Sequence, residues 1–539
     1  MSLLSLLDEI VAEDPGAVLT IDASPQGARL TSRRQLRDRV TVLCDDLRRA
    51  GVEAGDCVAV WLPNWSDALS WQFAVSALGA HVIGINTRYN VDEAVHVLER
   101  ARPKIVAIAH AFHGLDLLGR LRKAVARADA PVPAVVPVSG PHRTGPVDAA
   151  PYDVGGGAWT VTDVAAAADL GAQPPDRDGS DLAVAFTTSG STGRPKLAAH
   201  REAAVEGHAR NDARGMGMRP GDVALCVLPL SGVFGFNTAM AAIAGRGACL
   251  FEPVFDAVAT LDDMAAHGVT HVVGGDDMIS RLVDAWADHP VRLPTLRWIG
   301  VADFIGRSLD IAHWADRFGA LTSGVYGSSE VFALALFWPD DEPAPRRWLG
   351  GGRVVSPEIQ VRTVDPVTDA VLPAGEQGEL RFRGPTVVDA YLGDPTAAAR
   401  SFTEDGWFRS GDLAIVGEDG GVEYVCRMGD VLRLSGFLVA PAEIEARLAE
   451  HETVELAKVV GVRDATGATR AVAFVVPAQG RTAEPEELRT WCAAGLAKFK
   501  VPAEVRVIDE MPTTSGTNGS KIRAAVLREW AEEGQGATA

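Results

Sequence analysis

The run Thr187-Thr188-Ser189-Gly190-Ser191-Thr192-Gly193-Arg194-Pro195-Lys196 joins small hydroxyls and glycines to a terminal ammonium. Glycines and short hydroxyl side chains let backbone amides close around a polyphosphate, and a lysine adds charge at the end of the cradle. Thr188, Ser189, Gly190, Ser191, Thr192, Gly193 and Lys196 are therefore the first candidates for phosphate contact. The run is not the G-x-x-x-x-G-K-[ST] loop of the common NTPases, because Arg194 and Pro195 separate Gly193 from the lysine. A solvated polar loop has the same composition, so the run means chemistry only if other residues agree with it.

The elements that must hold it can be read from periodicity. Residues 182–186 form an apolar strand that ends at the loop. Residues 57–62, 81–85 and 104–109 are three more short apolar strands. Between them, Ser66 is placed to cap a helix with Leu69, Phe73 and Ala77 on its apolar positions. Asn90 with Glu93 forms a capping box for a helix running to about residue 101. This βαβαβ order implies a parallel sheet with right-handed crossovers. Residues 130–157, rich in Pro, Gly and Ala, read as a surface excursion. Short strands with turns fill 353–425, and helices and strands return after Pro441. The expected architecture is α/β: a large N-terminal domain over 1–429 with βαβ layers and a barrel-like segment, then a small mobile α+β domain over 430–539.

Composition narrows the class. The 539 residues exceed one core, and 47% hydrophobic with 23% charged residues is ordinary for a globular chain. A formal charge of −20 without a basic patch would repel DNA, RNA and anionic lipid, and no nucleic-acid partner is expected. No apolar run approaches the roughly 18 residues of a membrane span, and the start, with Asp8 and Glu9, lacks the basic residues of a signal peptide. A cytoplasmic protein is expected. The six cysteines are scattered without C-x-x-C spacing, which points to buried thiols and away from structural zinc.

The loop has company. Tyr326-Gly327-Ser328-Ser329-Glu330, Trp407-Phe408-Arg409-Ser410-Gly411-Asp412, Arg427-Met428-Gly429-Asp430 continuing to Gly436, and Lys521-Ile522-Arg523 follow it along the chain. Together with the loop they resemble, in order, the signature motifs of the adenylate-forming superfamily, and within it the acyl-CoA synthetases. The resemblance spans nearly the whole chain. It implies ATP, Mg2+ and CoA as reactants and cofactor: a carboxylate attacks the α-phosphorus, pyrophosphate leaves, and a thiol then takes the acyl group from the adenylate. By this resemblance Glu330 is the magnesium-ligand position, Tyr326 packs on adenine, and Gly327, Ser328 and Ser329 belong to the nucleotide site. Asp412 accepts the ribose hydroxyls, Arg427 makes a further nucleotide contact, and Lys521 bridges carboxylate and α-phosphate. Asp430 is the hinge about which the small domain turns, bringing Gly436 to the site for the CoA step.

Departures from the pattern bear on the acid. Pro229-Leu230-Ser231-Gly232-Val233-Phe234-Gly235 has Gly232 where the family carries a histidine. The spacing before Lys521 is longer than usual. Gly232, Phe234, Gly235, Phe236 and Gly275 are the expected lining of the acid pocket. Phe236 and Asn237 stand where an amino-acid-activating domain would offer a carboxylate, so a hydrophobic acid is expected. The implied activity is an ATP-dependent carboxylate–CoA ligase. Two rivals are an enzyme that stops at the acyl-adenylate or hands it to a separate carrier or acyl-accepting protein, and a non-catalytic nucleotide- or acyl-binding regulator. The sequence leaves the oligomeric state open, a homodimer included.

Overall fold

The computed structural model describes residues 1–143, 147–164, 177–188, 195–304, 306–434, 437–439, 441–463, 469–516 and 519–533, with backbone alone at 430, 433, 437–438, 514–516 and 519–521. Among the described residues, two large sheets form the N-terminal part. The first runs in the order Ala390–Tyr391, Lys196–Arg201, Leu182–Thr188, His81–Gly84, Cys57–Trp61, Ile105–Ala109, Ala134–Val138. It is parallel from Leu182–Thr188 outward, while Lys196–Arg201 returns antiparallel as the far arm of the polar loop. Cys57–Trp61 is buried at every position, as a parallel strand covered on both faces must be.

The second sheet has parallel strands Val18–Asp22, Ala248–Phe251, Val223–Cys226, His271–Gly275, Trp298–Ala302 and Leu321–Tyr326. Beyond Leu321–Tyr326 it turns antiparallel through Leu336–Phe337, Gly351–Val354, Val422–Arg427, Phe408–Val416 and Gln377–Arg383, ending at Gln360–Val364. These are the short strands expected between 353 and 425, and they continue the sheet that carries Tyr326. Helices Ser66–Ala77 and Val233–Ala244 lie within the core, the second buried at every position. A helix apolar all round has nowhere else to go. The C-terminal part packs Pro441–Ala449 and Pro485–Gly495 on the strands Val454–Arg463, Thr469–Pro477 and Glu504–Val507. A hairpin, Thr513–Gly516 with Gly519–Ile522, carries Lys521.

The Asn90/Glu93 capping box forms as expected: Asn90 Oδ1 accepts from the Glu93 amide at 3.0 Å and Glu93 Oε2 from the Asn90 amide at 2.7 Å. Two local expectations are corrected. Ser66 is not a cap but the first helical residue, and its amide donates to Asp22 Oδ1, 2.8 Å away on a strand of the other sheet. The excursion at 130–157 contains the strand Ala134–Val138, whose Pro137 is tolerated because this is the sheet edge. All six cysteines are buried and none forms a disulfide. No helix of the described residues is long and apolar enough to cross a membrane.

Candidate active site

Three strands converge on one carboxylate. Asp412, on Phe408–Val416, stands opposite Arg427 on Val422–Arg427, and Tyr326 ends Leu321–Tyr326. The Tyr326 hydroxyl donates to Asp412 Oδ2 at 2.6 Å, and Arg427 donates to Asp412 Oδ1 at 2.7 Å and to the Ser410 carbonyl at 2.9 Å. The Tyr326 ring lies parallel to Phe382 at 5.8 Å and tilted against Tyr424 at 5.6 Å. Burial raises the Tyr326 hydroxyl well above its usual range, and the Asp412 charge adds to it. Partial desolvation of its half-exposed side chain pulls Arg427 down, but the charge of Asp412 and its hydrogen bond outweigh this and leave the guanidinium raised. Gly411 next to Asp412 has φ +70°, a left-handed turn open to glycine without strain.

The same strand that ends in Tyr326 runs into the turn carrying Glu330. Gly327 cannot be replaced there: a Cβ would stand 2.5 Å from the Ala333 carbonyl carbon. Ser328 Oγ accepts from the Glu330 amide at 3.3 Å, and the Glu330 carbonyl accepts from the Val388 amide at 2.6 Å. Glu330 Oε1 accepts from the Tyr391 hydroxyl at 3.3 Å. The Lys196 ammonium lies 4.7 Å from the Tyr391 ring centroid and donates to Ser401 Oγ at 3.3 Å. Lys196, Tyr391 and Glu330 thus form one chain of contacts. Among the described residues no three His, Cys, Asp or Glu side chains cluster as a metal cage. A half-buried carboxylate with one oxygen on a neutral hydroxyl suits a hard cation that takes most of its ligands from phosphate and water.

Tyr391 and Ser401 escaped the sequence reading. Tyr391 sits in a strand of only two residues, too short to show a period. His200 and His208 escaped as well. His200 Nε2 donates to the Ser329 carbonyl at 2.7 Å, and His208 Nε2 to the Ala333 carbonyl at 2.9 Å. His200 could have been found, since it follows Lys196 by an even step on one strand and so shares its face.

The expected acid-pocket residues divide. Gly232 is buried and N-caps the helix Val233–Ala244. Gly235 is a close-approach glycine, because its Cβ would lie 2.3 Å from the Leu228 carbonyl oxygen. Phe234 and Phe236 are buried, and Phe236 packs 5.5 Å from Phe186 and 6.3 Å from Phe332. With Leu230, Ser231 and Gln72 it lines a cavity of about 20 Å³, room for about one water. Asn237 is fully buried and donates to Asp212 Oδ2 at 2.6 Å. Gly275 ends His271–Gly275 and precedes Asp276, whose oxygens accept from the Phe304 and Arg307 amides at 2.9 Å each.

Thr188 closes the strand at the polar loop and pairs with Lys196. Ser189, Gly190, Ser191, Thr192 and Gly193 lie outside the described residues, as do Gly436 and the side chains of Asp430 and Lys521. The backbone of Asp430 forms a 3-10 turn with Met428. The Lys521 strand packs against His271–Gly275 and Asp276–Asp288.

Residues 7–392 match the family described as AMP-binding enzyme, and 443–517 match the AMP-binding enzyme C-terminal domain. The 3-[(3aS,4S,7aS)-7a-methyl-1,5-dioxo-octahydro-1H-inden-4-yl]propanoyl:CoA ligase of Rhodococcus jostii (strain RHA1) is 30% identical over 92% of this chain and 93% of its own. The feruloyl-CoA synthase of an Amycolatopsis species is 30% identical over 94% of this chain and 95% of its own. ATP-bound MatB from Rhodopseudomonas palustris superposes with a TM-score of 0.82 at 25% identity, covering 99% of each chain.

Proposed function

We propose residue roles and a substrate class on the premise that this chain belongs to the AMP-binding family of adenylate-forming enzymes and is an AMP-forming acid–CoA ligase using ATP, Mg2+ and CoA. A carboxylate oxygen attacks the α-phosphorus of ATP and the bond to pyrophosphate breaks. The CoA thiol then attacks the acyl carbonyl, and AMP leaves. Both reactants of the first step are anions, so catalysis rests on positioning and on cations at the developing charge.

Asp412 accepts the ribose hydroxyls on the lone pairs that Tyr326 and Arg427 leave free. Lys196 reaches the polyphosphate from the end of its strand, and Glu330 would hold the magnesium ion, which would neutralise phosphate charge. Lys521 meets the α-phosphate. The observation that carries this reading is the continuity of one segment: the strand ending in Tyr326 puts a hydroxyl on Asp412 and then turns directly into the Glu330 carboxylate beside Tyr391 and Lys196.

The small domain begins at Asp430. Leu432, Leu434 and Val439 share a core with Val459, Ala473 and Val475, whereas Phe408, Ala414 and Val422 share one with Tyr326. That division supports a hinge between them. The orientation with the Lys521 hairpin against His271–Gly275 is the adenylating one.

The acid is hydrophobic and bulky. Gly232 in place of a histidine supports this, as do the buried Phe234 and Phe236 and the polycyclic and aromatic acids named for the two relatives. The test is a panel of carboxylic acids, small to polycyclic, scored separately for pyrophosphate release and CoA thioester in wild type and Gly232→His. Bulky acids should give both products in wild type, and Gly232→His should lose them while keeping small acids. Equal loss at every size defeats the volume argument. Adenylate without thioester from every acid defeats CoA as acceptor.

A further inference from the structure

The segment after Gly327 is held in a conformation it would not choose. Phe332, Ala333 and Leu334 are three consecutive left-handed residues without a glycine, at φ +63°, +52° and +37°. Such a conformation persists only where its surroundings impose it. Beside the Val388 amide on the Glu330 carbonyl and the Ala333 amide on the Ser328 carbonyl, those surroundings include two histidines. His200 is 0% exposed and His208 1%, and their Nε2 atoms face carbonyls at opposite ends of the segment, Ser329 at 2.7 Å and Ala333 at 2.9 Å. A carbonyl oxygen only accepts, so Nε2 carries the hydrogen in both rings. Both imidazoles also meet the buried Phe332 ring edge-on, at 4.8 and 5.6 Å.

Behind His208, Asp212 Oδ2 lies 3.3 Å from the same Nε2 and accepts from Asn237. His200 shares a strand face with Lys196, so one element fixes both the phosphate-facing lysine and the root of the Glu330 turn.

We propose that His200 and His208 are positioning residues that clamp the 328–334 segment at its two ends and so hold the Glu330 carboxylate where the magnesium ion must meet it. The proposal rests on Glu330 being the metal ligand. Neither imidazole touches substrate. Their contribution is to remove the alternative backbone conformations that would swing Glu330 away from Tyr391.

The test uses the full-length enzyme. His200→Phe keeps a ring against Phe332 and deletes the donor, and His200→Gln restores a donor. Without nucleotide, amides of 328–334 should exchange with deuterium at least about tenfold faster in His200→Phe, with protection elsewhere unchanged and recovered in His200→Gln. In the adenylation assay His200→Phe should raise the Mg2+ concentration for half-maximal rate about tenfold and leave KM for the acid within about twofold. In a Glu330→Gln background the same substitution should add no more than about twofold, because the group it positions is already lost. His208→Phe acts on the other end and gives the same readouts should His200→Phe not fold. Unchanged exchange, or losses that multiply in the double variant, overturn the clamp. If Glu330→Gln itself leaves the Mg2+ dependence unaltered, the metal reading falls, and the proposal falls with it.

Discussion

Asp412→Ala separates a nucleotide contact from a structural one. The carboxylate already serves two protein donors, Tyr326 at 2.6 Å and Arg427 at 2.7 Å. Losing it leaves the Tyr326 hydroxyl, in a residue 8% exposed, without a partner, which costs about 1–3 kcal/mol of stability. The Arg427 side chain is 48% exposed, so water replaces its partner and that loss is at most about 1 kcal/mol. The variant should therefore fold, with a lowered thermal midpoint. Adding Tyr326→Phe should recover much of that midpoint, because the orphaned hydroxyl is gone.

ATP binding should not recover. One hydrogen bond to a charged acceptor is worth about 1.5–3 kcal/mol, a rise in Kd of ~10–150-fold. Calorimetry with ATP and 2′-deoxy-ATP is the deciding measurement. Wild type should prefer ATP, Asp412→Ala should bind both alike, and the double variant should bind both alike at near-wild-type stability. An Asp412→Ala enzyme that still prefers ATP would remove this residue from the ribose site and leave it a purely structural carboxylate.

The remaining expectations concern the hinge and the buried charges. Lys521→Ala should lower acyl-adenylate formation by roughly 10²–10³, yet convert preformed adenylate and CoA to thioester at a near-normal rate. Asp430→Pro should do the reverse, since proline fixes φ near the value its 3-10 turn already uses and traps the adenylating orientation; equal loss of both steps in folded Lys521→Ala refutes domain alternation. Burial pushes Asp22 up from 3.8 to about 6, against the hydrogen bonds from Ser66. Its stabilising proton is therefore present at low pH and lost as pH rises through 6. Asp22→Asn keeps an acceptor for the Ser66 amide, so it should match wild type near pH 4 and exceed it by about 3 kcal/mol above pH 7. Equal thermal midpoints of the two proteins at about pH 8 would contradict this sign.

What could be read beforehand follows the range of the forces involved. The parallel strands and the Asn90–Glu93 cap depend on neighbours in sequence, and they stand where the pattern puts them. Tyr326 and Arg427 end their strands and meet Asp412 in mid-strand, and Glu330 lies in the turn just after Tyr326, positions that ordered motifs mark. Ser66 deceived because the better cap came from Asp22, remote in sequence. Ala134–Val138 hid behind a proline that only an edge strand accepts. At Gly235 the sequence could not show the close approach of the Leu228 carbonyl, because a buried helix and a pocket wall draw on the same residue types. Tyr391, His200 and His208 act through contacts between distant segments, which one sequence does not display.

The pairing of charges explains how an acidic chain receives an acidic substrate. At the proposed ribose end, Arg427 is cancelled by Asp412, and the pair is close to neutral. That suits an uncharged sugar, for which hydrogen-bond geometry matters more than field. At the proposed phosphate end, Lys196 is held by neutral partners, the Ser401 hydroxyl and the face of Tyr391. Its charge is oriented without being spent, so it remains available where phosphate charge develops. Glu330 nearby would oppose a bare polyphosphate, and it becomes favourable only when a divalent cation comes between them. In its proposed role the same carboxylate would disfavour metal-free ATP and favour the magnesium complex. This discrimination needs Glu330 fixed in place, because a carboxylate free to swing would relieve the repulsion by moving away.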